Sequence, residues 1–129
     1  MPDSILIIDD KLNRRREVAS ALTDSMFEVA GVSSYFEALD ILNHFKPDLI
    51  ILDAKLPLVD GWEASYRLHR YYGFHIIVIG RDSIVDGWAR ALDTGADYYI
   101  TVPFSTWVLV AIIRAILRRY NKTNLAYLA

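Results

Sequence analysis

The sequence contains no cysteine, which excludes disulfides, thiolate metal ligands and cysteine nucleophiles. It also carries little net charge, because 14 Lys and Arg residues face 16 Asp and Glu residues and leave a formal charge of −2. A chain without a basic surplus lacks the charge that binds nucleic acid through its phosphates, so we expect no direct nucleic-acid binding. The absence of cysteine fits a reducing compartment, and the N-terminus has no signal-peptide pattern, so we expect a cytoplasmic protein.

Long apolar runs are also missing, although 53% of the residues are hydrophobic. A transmembrane helix needs about 20 consecutive apolar residues. The longest apolar runs here are far shorter: Ile5–Ile8, Leu49–Leu52, Ile76–Ile79 and Trp107–Ile113. We therefore expect no membrane span, and the high apolar content has to be explained inside a single globular domain.

Short apolar runs alternate along the chain with longer segments of helical periodicity. The predicted strands are Ser4–Ile8, Phe27–Val32, Asp48–Leu52, His75–Ile79 and Tyr98–Thr101. The predicted helices are Leu12–Asp24, Phe36–Phe45, Trp62–Tyr72, Ser83–Thr94 and Ser105–Tyr120. Continuously apolar runs are typical of parallel strands covered on both faces, and five β-then-α units predict an α/β doubly wound sheet. We expect one domain over residues 1–120, with residues 121–129 as a tail or the start of a linker.

Local signals mark the ends of several predicted helices. Ser34 followed by Glu37 is typical of a capping box, and Gly95 stands where a left-handed residue ends a helix. Pro47 blocks continuation of the second helix, and Pro103 separates the last strand from the last helix.

Carboxylates stand at the ends of two predicted strands. Asp9 and Asp10 follow the first strand and Asp53 follows the third, and ligands of a doubly wound sheet bind beyond the carboxyl ends of its strands. Three like charges that converge there would repel one another unless a hard divalent cation such as Mg²⁺ neutralised them. A carboxylate beside Mg²⁺ is also a plausible nucleophile toward a phosphoryl group. The alternative is that the three residues are separate helix caps and turn formers.

The segment 48–61, DLIILDAKLPLVDG, resembles the phospho-acceptor segment of response regulator receiver domains in two-component systems. Asp9-Asp10 matches the acidic pair of that family, and Gly95–Thr101 followed by Pro103-Phe104 matches its last strand and turn. The resemblance covers Ser4–Arg119. It implies a flavodoxin-like (βα)5 fold with strand order 2-1-3-4-5. It also implies a signalling domain rather than an enzyme, with a histidine kinase or phosphotransfer protein as its partner.

The resemblance assigns roles to individual residues. Asp53 would be the phospho-acceptor, Tyr99 the aromatic switch residue, and Pro57 and Gly61 would shape the loop after Asp53. The implied Mg²⁺ ligands are Asp10, Asp53 and the backbone carbonyl of Lys55, with Asp9 acting through water.

Two switch positions depart from the family, which normally has Thr or Ser where Gly80 stands and Lys where Val102 stands. In the usual mechanism both side chains bind the phosphoryl oxygens, and each charge-assisted hydrogen bond contributes about 1.5–3 kcal/mol. Losing both removes about 3–6 kcal/mol, while moving a two-state element from 1:99 to 99:1 takes about 5.5 kcal/mol. The sequence therefore predicts an atypical receiver with a weakened switch. Arg81 and Lys55 are possible compensating cations, although Lys55 also fits a solvated loop lysine.

Two functions stay open at this point. The first is a receiver that accepts phosphate on Asp53 with Mg²⁺. The second is a degenerate receiver that acts as a phosphorylation-independent interaction or dimerisation module. Arg14-Arg15-Arg16 opens the first helix and is interpreted as a solvated basic face, with partner recognition as the alternative.

The last helix is unusually apolar. Val108 and Ile112 extend its apolar stripe, which includes Trp107, onto a face that should be wet. Its end, Arg114–Arg119, resembles receivers of the winged-helix transcription-factor subfamily, which pair through the fourth helix, fifth strand and fifth helix with charged residues at positions 108 and 112. Because contiguous exposed apolar surface marks an interface, we expect a homodimer or a partner contact on this face, with burial against the domain as the alternative.

Overall fold

Strands and helices alternate along the whole described chain. The computed structural model describes the backbone of residues 2–128 and the side chains of residues 2–120. The strands are β1 (Ser4–Ile8), β2 (Glu28–Val32), β3 (Leu49–Asp53), β4 (Ile76–Gly80) and β5 (Tyr98–Thr101). The helices are α1 (Leu12–Asp24), α2 (Tyr35–Ile41), α3 (Gly61–Tyr72), α4 (Ile84–Thr94) and α5 (Thr106–Leu128).

The five strands form one parallel sheet in the order β2-β1-β3-β4-β5. This confirms the predicted doubly wound, flavodoxin-like topology. The register pairs Ile8 with Leu52 and Asp53 with Ile79, so the carboxyl ends of β1, β3 and β4 lie at one edge. The strand order reverses between β1 and β3, where doubly wound sheets open a crevice for ligands.

Helices cover both faces of the sheet. On one face, Ile50 and Leu52 of β3 share a buried cluster with residues of α2, α3 and α4. On the other face, Leu49 and Ile51 share a second cluster with residues of α1 and α5. Because successive strand side chains point to opposite faces, every residue of β3 is buried. Strands of a parallel sheet that is covered on both faces need apolar residues on both faces, and this need accounts for much of the hydrophobic content of the chain. No helix within the described part of the chain is both long and apolar enough to span a lipid bilayer.

The helix-end signals act as predicted in two places. The Ser34 hydroxyl accepts a hydrogen bond from the Glu37 backbone N–H at 3.2 Å and caps α2. Gly95 ends α4 in the left-handed conformation, with φ of 80°, which glycine adopts without a steric penalty.

The ends of two helices differ from the prediction. α2 ends at Ile41 instead of Phe45, because the following residues form tight turns in which Asn43 and His44 donate to carbonyls three residues earlier. α5 continues to Leu128, past the predicted end at Tyr120. The side chains of the tail predicted for 121–129 lie outside the described residues.

Candidate functional site

The three predicted carboxylates meet at the carboxyl edge of the sheet. Asp9 and Asp10 follow β1, Asp53 ends β3, and the adjacency of these strands brings oxygens of all three residues within 4.8 Å of one another. Asp9 and Asp53 are only 2% and 1% exposed, whereas Asp10 is open to solvent. Such a set of hard oxygen donors fits Mg²⁺ in its chemistry. The described site can therefore hold a divalent cation through these residues.

Every oxygen of the two buried carboxylates already accepts a hydrogen bond. Asp53 Oδ1 accepts from the Lys55 backbone N–H at 3.1 Å. Asp53 Oδ2 accepts from Arg14 Nη2 at 2.6 Å and from Lys11 Nζ at 3.1 Å. Asp9 Oδ1 accepts from the Lys11 backbone N–H at 2.9 Å, and Asp9 Oδ2 accepts from Arg14 Nε at 2.6 Å. Arg14 thus bridges both buried carboxylates with the two arms of one guanidinium.

Arg14 corrects the interpretation of the basic run as a solvated face. Its side chain is 15% exposed. Burial lowers the pKa of Arg14, but the hydrogen bond to Asp9 and the charges of Asp9 and Asp53 outweigh that effect and raise it. Arg15 also turns inward and donates to the Asp9 backbone carbonyl at 2.7 Å, while Arg16 is exposed.

Lys11 is the second cation of the cluster. Its ammonium also lies 3.2 Å from Asp10 Oδ1. Partial burial lowers the pKa of Lys11, but its hydrogen bonds to Asp53 and Asp10 raise it more. Sequence reasoning missed both cations, although their place at a helix N-terminus, where the helix dipole disfavours positive charge, was a usable signal.

The two cations suggested from the sequence lie beside Asp53 without pairing with it. Lys55 and Arg81 line a cavity of about 320 Å³ together with Asp53, Trp62 and Gly80. Among the described residues, the ion pairs to Asp53 come from Lys11 and Arg14. The contribution of Lys55 is its backbone N–H, and the Arg81 side chain is exposed.

Gly61 fixes the loop that follows Asp53. Its backbone N–H donates to the Ala54 carbonyl at 2.8 Å. A Cβ at this position would overlap the Asp53 carbonyl oxygen and would lie 2.5 Å from Ala54 Cα. Only glycine therefore fits, and the Asp60 side chain then caps α3 by accepting from the Glu63 N–H at 3.0 Å.

Tyr99 is seated inside the domain. It is 2% exposed, its hydroxyl donates to the Asp82 carbonyl at 2.9 Å, and its ring stacks on Trp62 with centroids 5.8 Å apart. A Cβ on Gly80 would lie 2.8 Å from the Tyr99 ring, and a Cβ on Gly87 would overlap it. Burial and the nearby Asp82 charge raise the pKa of Tyr99. The two glycines thus leave the space that the ring fills.

A family model for the response regulator receiver domain matches residues 5–114 of this chain. The chain is a response regulator receiver domain. Receiver domains of two-component systems are signalling domains and generally not enzymes.

Named relatives agree with this family. The probable transcriptional regulator ycf27 of Porphyra purpurea is 36% identical over 125 residues, which cover 95% of this chain and 51% of that protein. The phosphate regulon transcriptional regulatory protein PhoB of Pseudomonas aeruginosa is 38% identical over 119 residues, which cover 90% and 52%. The receiver domain thus spans about half the length of the curated relatives it matches.

Solved structures agree on the fold. A CheY-like receiver domain protein from Methanospirillum hungatei is 25% identical with a TM-score of 0.87, covering 95% of this chain and 99% of that one. A two-component response regulator from Clostridium difficile is 27% identical with a TM-score of 0.86, covering 92% and 98%.

The residue that follows β5 in this receiver domain is apolar. Val102 packs at the border of the cluster shared by α1 and α5, and its backbone N–H donates to the Gly80 carbonyl at 3.0 Å. It also lines a cavity of about 390 Å³ together with Arg14 and Phe104. The side chains of Gly80 and Val102 offer no hydrogen-bond donor to Asp53, so the two departures found in the sequence persist in the structure.

The residues predicted to form one interface do not share a single groove. Trp107, 86% exposed, lines a groove of about 370 Å³ between α1 and α5. Ile112 is partly buried and lines a smaller cavity beside β5, with Tyr98 and Tyr120. Val108 is 51% exposed. The structure places Trp107 on the α1 side of the last helix and Ile112 on the β5 side, and the interface formed by Trp107, Val108 and Ile112 stays a prediction.

Proposed function

We propose that this receiver domain accepts a phosphoryl group on Asp53 from a histidine kinase or a phosphotransfer protein. A carboxylate oxygen of Asp53 forms the new O–P bond while the N–P bond of the phosphohistidine breaks, and the imidazole nitrogen keeps that electron pair. The observation that carries this proposal is Asp53 itself, a buried carboxylate at the head of a cavity and bounded by two cations.

The surrounding residues have separate parts in the proposed transfer. Asp10, Asp53 and the Lys55 carbonyl would hold Mg²⁺, with Asp9 acting through water. The metal would neutralise the charge on the transferring oxygens. Lys11 and Arg14 offset the charges of the cluster, and the Lys55 N–H fixes the orientation of the Asp53 carboxylate.

Acetyl phosphate provides the direct test. The protein is incubated with acetyl phosphate and Mg²⁺, and its intact mass is measured. We expect an increase of one phosphoryl group that is absent in Asp53→Asn. Asp60→Asn is the matched control, because Asp60 lines the same cavity and Asn also caps a helix well. An unchanged wild-type mass, or an increase that persists in Asp53→Asn, would refute the proposal.

A second candidate is a degenerate receiver that binds a partner or a second copy without phosphorylation. The specific observation in its favour is Tyr99, which is already buried and bonded to the Asp82 carbonyl. The lack of side-chain hydrogen-bond donors on Gly80 and Val102 supports the same candidate. This candidate predicts that partner binding or self-association is unchanged in Asp53→Asn and unaffected by acetyl phosphate.

We propose that the face formed by α4, β5 and α5, with Val108 and Ile112, mediates dimerisation or partner contact. We propose further that the domain acts in the cytoplasm, that it is not itself an enzyme, and that it does not bind nucleic acid directly.

A further inference from the structure

We infer that Arg14 is an internal counter-charge that competes with Mg²⁺ for Asp9 and Asp53. The inference rests on the metal site of the proposed function. It assigns to α1 the positive charge that the family usually carries on β5, and it makes the metal affinity of this domain depend on the release of one side chain.

Arg14 forms ion pairs with Asp9 and Asp53 at the same time. Nε and Nη2 lie 2.6 Å from Asp9 Oδ2 and Asp53 Oδ2, so one planar group joins the two buried carboxylates of the cluster. Charge-assisted hydrogen bonds of this length are stronger than neutral ones. The planar guanidinium of an arginine loses less conformational entropy for each hydrogen bond that it forms than the flexible side chain of a lysine does.

The position of Arg14 also connects it with the missing β5 lysine. Arg14 and Val102 line the same cavity between α1 and the segment after β5. With an apolar side chain at Val102, no cation reaches the acidic cluster from that strand. The guanidinium of Arg14 reaches the cluster from α1 instead.

The start of α1 is locally unfavourable unless the acidic cluster compensates for it. The first turn carries Arg14 and Arg15 and no acidic residue, and Lys11 at the N-cap makes no side-chain cap hydrogen bond. Positive charge at a helix N-terminus opposes the helix dipole. Departures of this kind from local rules are typical of functional sites, and the carboxylates of Asp9 and Asp53 offset the cost here.

Arg14 and Mg²⁺ would compete because both would bind the same carboxylate oxygens. Mg²⁺ requires near-octahedral oxygen ligands at about 2.0–2.1 Å. Asp53 Oδ2 receives two cationic donors, from Arg14 and Lys11, and Asp9 Oδ2 receives one from Arg14. A divalent ion on these oxygens would lie against a guanidinium of the same sign, so Arg14 has to move away when Mg²⁺ binds.

Calorimetric titration with MgCl₂ tests the inference without phosphorylation. We expect Arg14→Gln to bind Mg²⁺ about tenfold more tightly than the wild type, a change of about 1.4 kcal/mol. Arg16→Gln is the matched control, because Arg16 is exposed on the same helix, and we expect it to bind like the wild type. Arg14→Lys keeps the positive charge but not the planar guanidinium, so its Mg²⁺ affinity should lie between those of the wild type and Arg14→Gln.

Thermal unfolding gives the second readout. Without Mg²⁺, Arg14→Gln should melt below the wild type, and saturating Mg²⁺ should narrow that difference. If Arg14→Gln does not fold, Lys11→Gln tests the same competition through the more exposed cation. Equal or weaker Mg²⁺ binding by Arg14→Gln than by the wild type (or by Lys11→Gln, where Arg14→Gln does not fold), or no Mg²⁺ binding by any of these proteins, overturns the inference. Phosphoryl uptake is measured separately by mass, so a failure of the proposed function is distinguishable.

Discussion

The structure predicts that Gly87→Ala lowers the free energy of unfolding, although replacing glycine by alanine inside a helix normally raises it. Gly87 lies inside α4, where glycine is an unfavourable helix residue. A Cβ at this position would overlap the Tyr99 ring, which is held by Trp62 on one side and by the Asp82 carbonyl at its hydroxyl. Because the ring is a packed neighbour rather than a flexible chain end, we expect the added methyl to destabilise the domain.

The magnitude results from two opposing effects. Replacing glycine by alanine inside a helix normally stabilises it by about 0.8–1.0 kcal/mol. Inserting a methyl group into a filled core costs about 1–3 kcal/mol. The free energy of unfolding of Gly87→Ala should therefore fall by up to about 2 kcal/mol. In a Tyr99→Val background the overlapping ring atoms are gone, and the same substitution should raise it by about 1 kcal/mol.

Urea unfolding of the two single variants and the double variant measures this coupling. We expect a coupling energy of about 1–3 kcal/mol between positions 87 and 99, in the range found for residues in contact. Ala89→Gly, at an exposed position of the same helix, calibrates the intrinsic alanine-to-glycine cost. If Gly87→Ala stabilises the wild type, or destabilises both backgrounds equally, then Tyr99 is not the reason for the glycine.

Three further perturbations test other parts of the structure. Gly61→Ala should cost more than about 2 kcal/mol in urea unfolding, because its Cβ meets the rigid Asp53 carbonyl; a loss below about 0.5 kcal/mol would contradict the fit. Ile112→Glu should shift any oligomer toward monomer in sedimentation velocity, whereas Trp107→Glu, on the α1 side, should not. For Tyr99, the raised pKa means that its stabilising contribution is complete below the unfolded pKa of about 10 and is lost as pH rises through the folded pKa. Ultraviolet titration should show this late-ionising group in the wild type and not in Tyr99→Phe.

The fold could be predicted because its strands are continuously apolar. Runs such as Leu49–Leu52 have few alternatives to a sheet covered on both faces, and alternation with helical segments restricts the topology to parallel crossovers. The end of α2 was less predictable, since residues 42–44 carry no strong stop signal and the chain tightens into turns before Pro47.

The carboxylates were predicted from the sequence, whereas their cations were missed although both stand at the start of a helix, where positive charge is unfavourable. Asp9, Asp10 and Asp53 are placed by strand ends, which sequence patterns locate well. Whether a basic residue of α1 is solvated or paired depends on how far its side chain reaches across the crevice, and Arg14 lies 39 residues from Asp53 in the chain. Exposed Arg16 and partly buried Arg14 are the same residue type two positions apart, so composition alone could not separate them.

The structure also explains how Gly80 and Val102 can be present together. The usual hydroxyl and ammonium would join the acceptor to the loops after β4 and β5. Here the side-chain and backbone donors to Asp53 come from α1 and from the segment after β3, while the Tyr99 hydroxyl is satisfied by the Asp82 carbonyl.

The hydrogen bonds of Asp53 and the hydrogen bond of the Tyr99 hydroxyl are therefore made by separate sets of groups. A larger residue at position 80 would press on the Tyr99 ring, and a lysine at position 102 would add a third cation to a cluster that already contains two. Gly80 thus accommodates the seated ring, and Val102 accommodates the arginine. Both departures remove a side-chain donor that the family usually offers to the acceptor, and the weak switch predicted from them stays a prediction for this receiver domain.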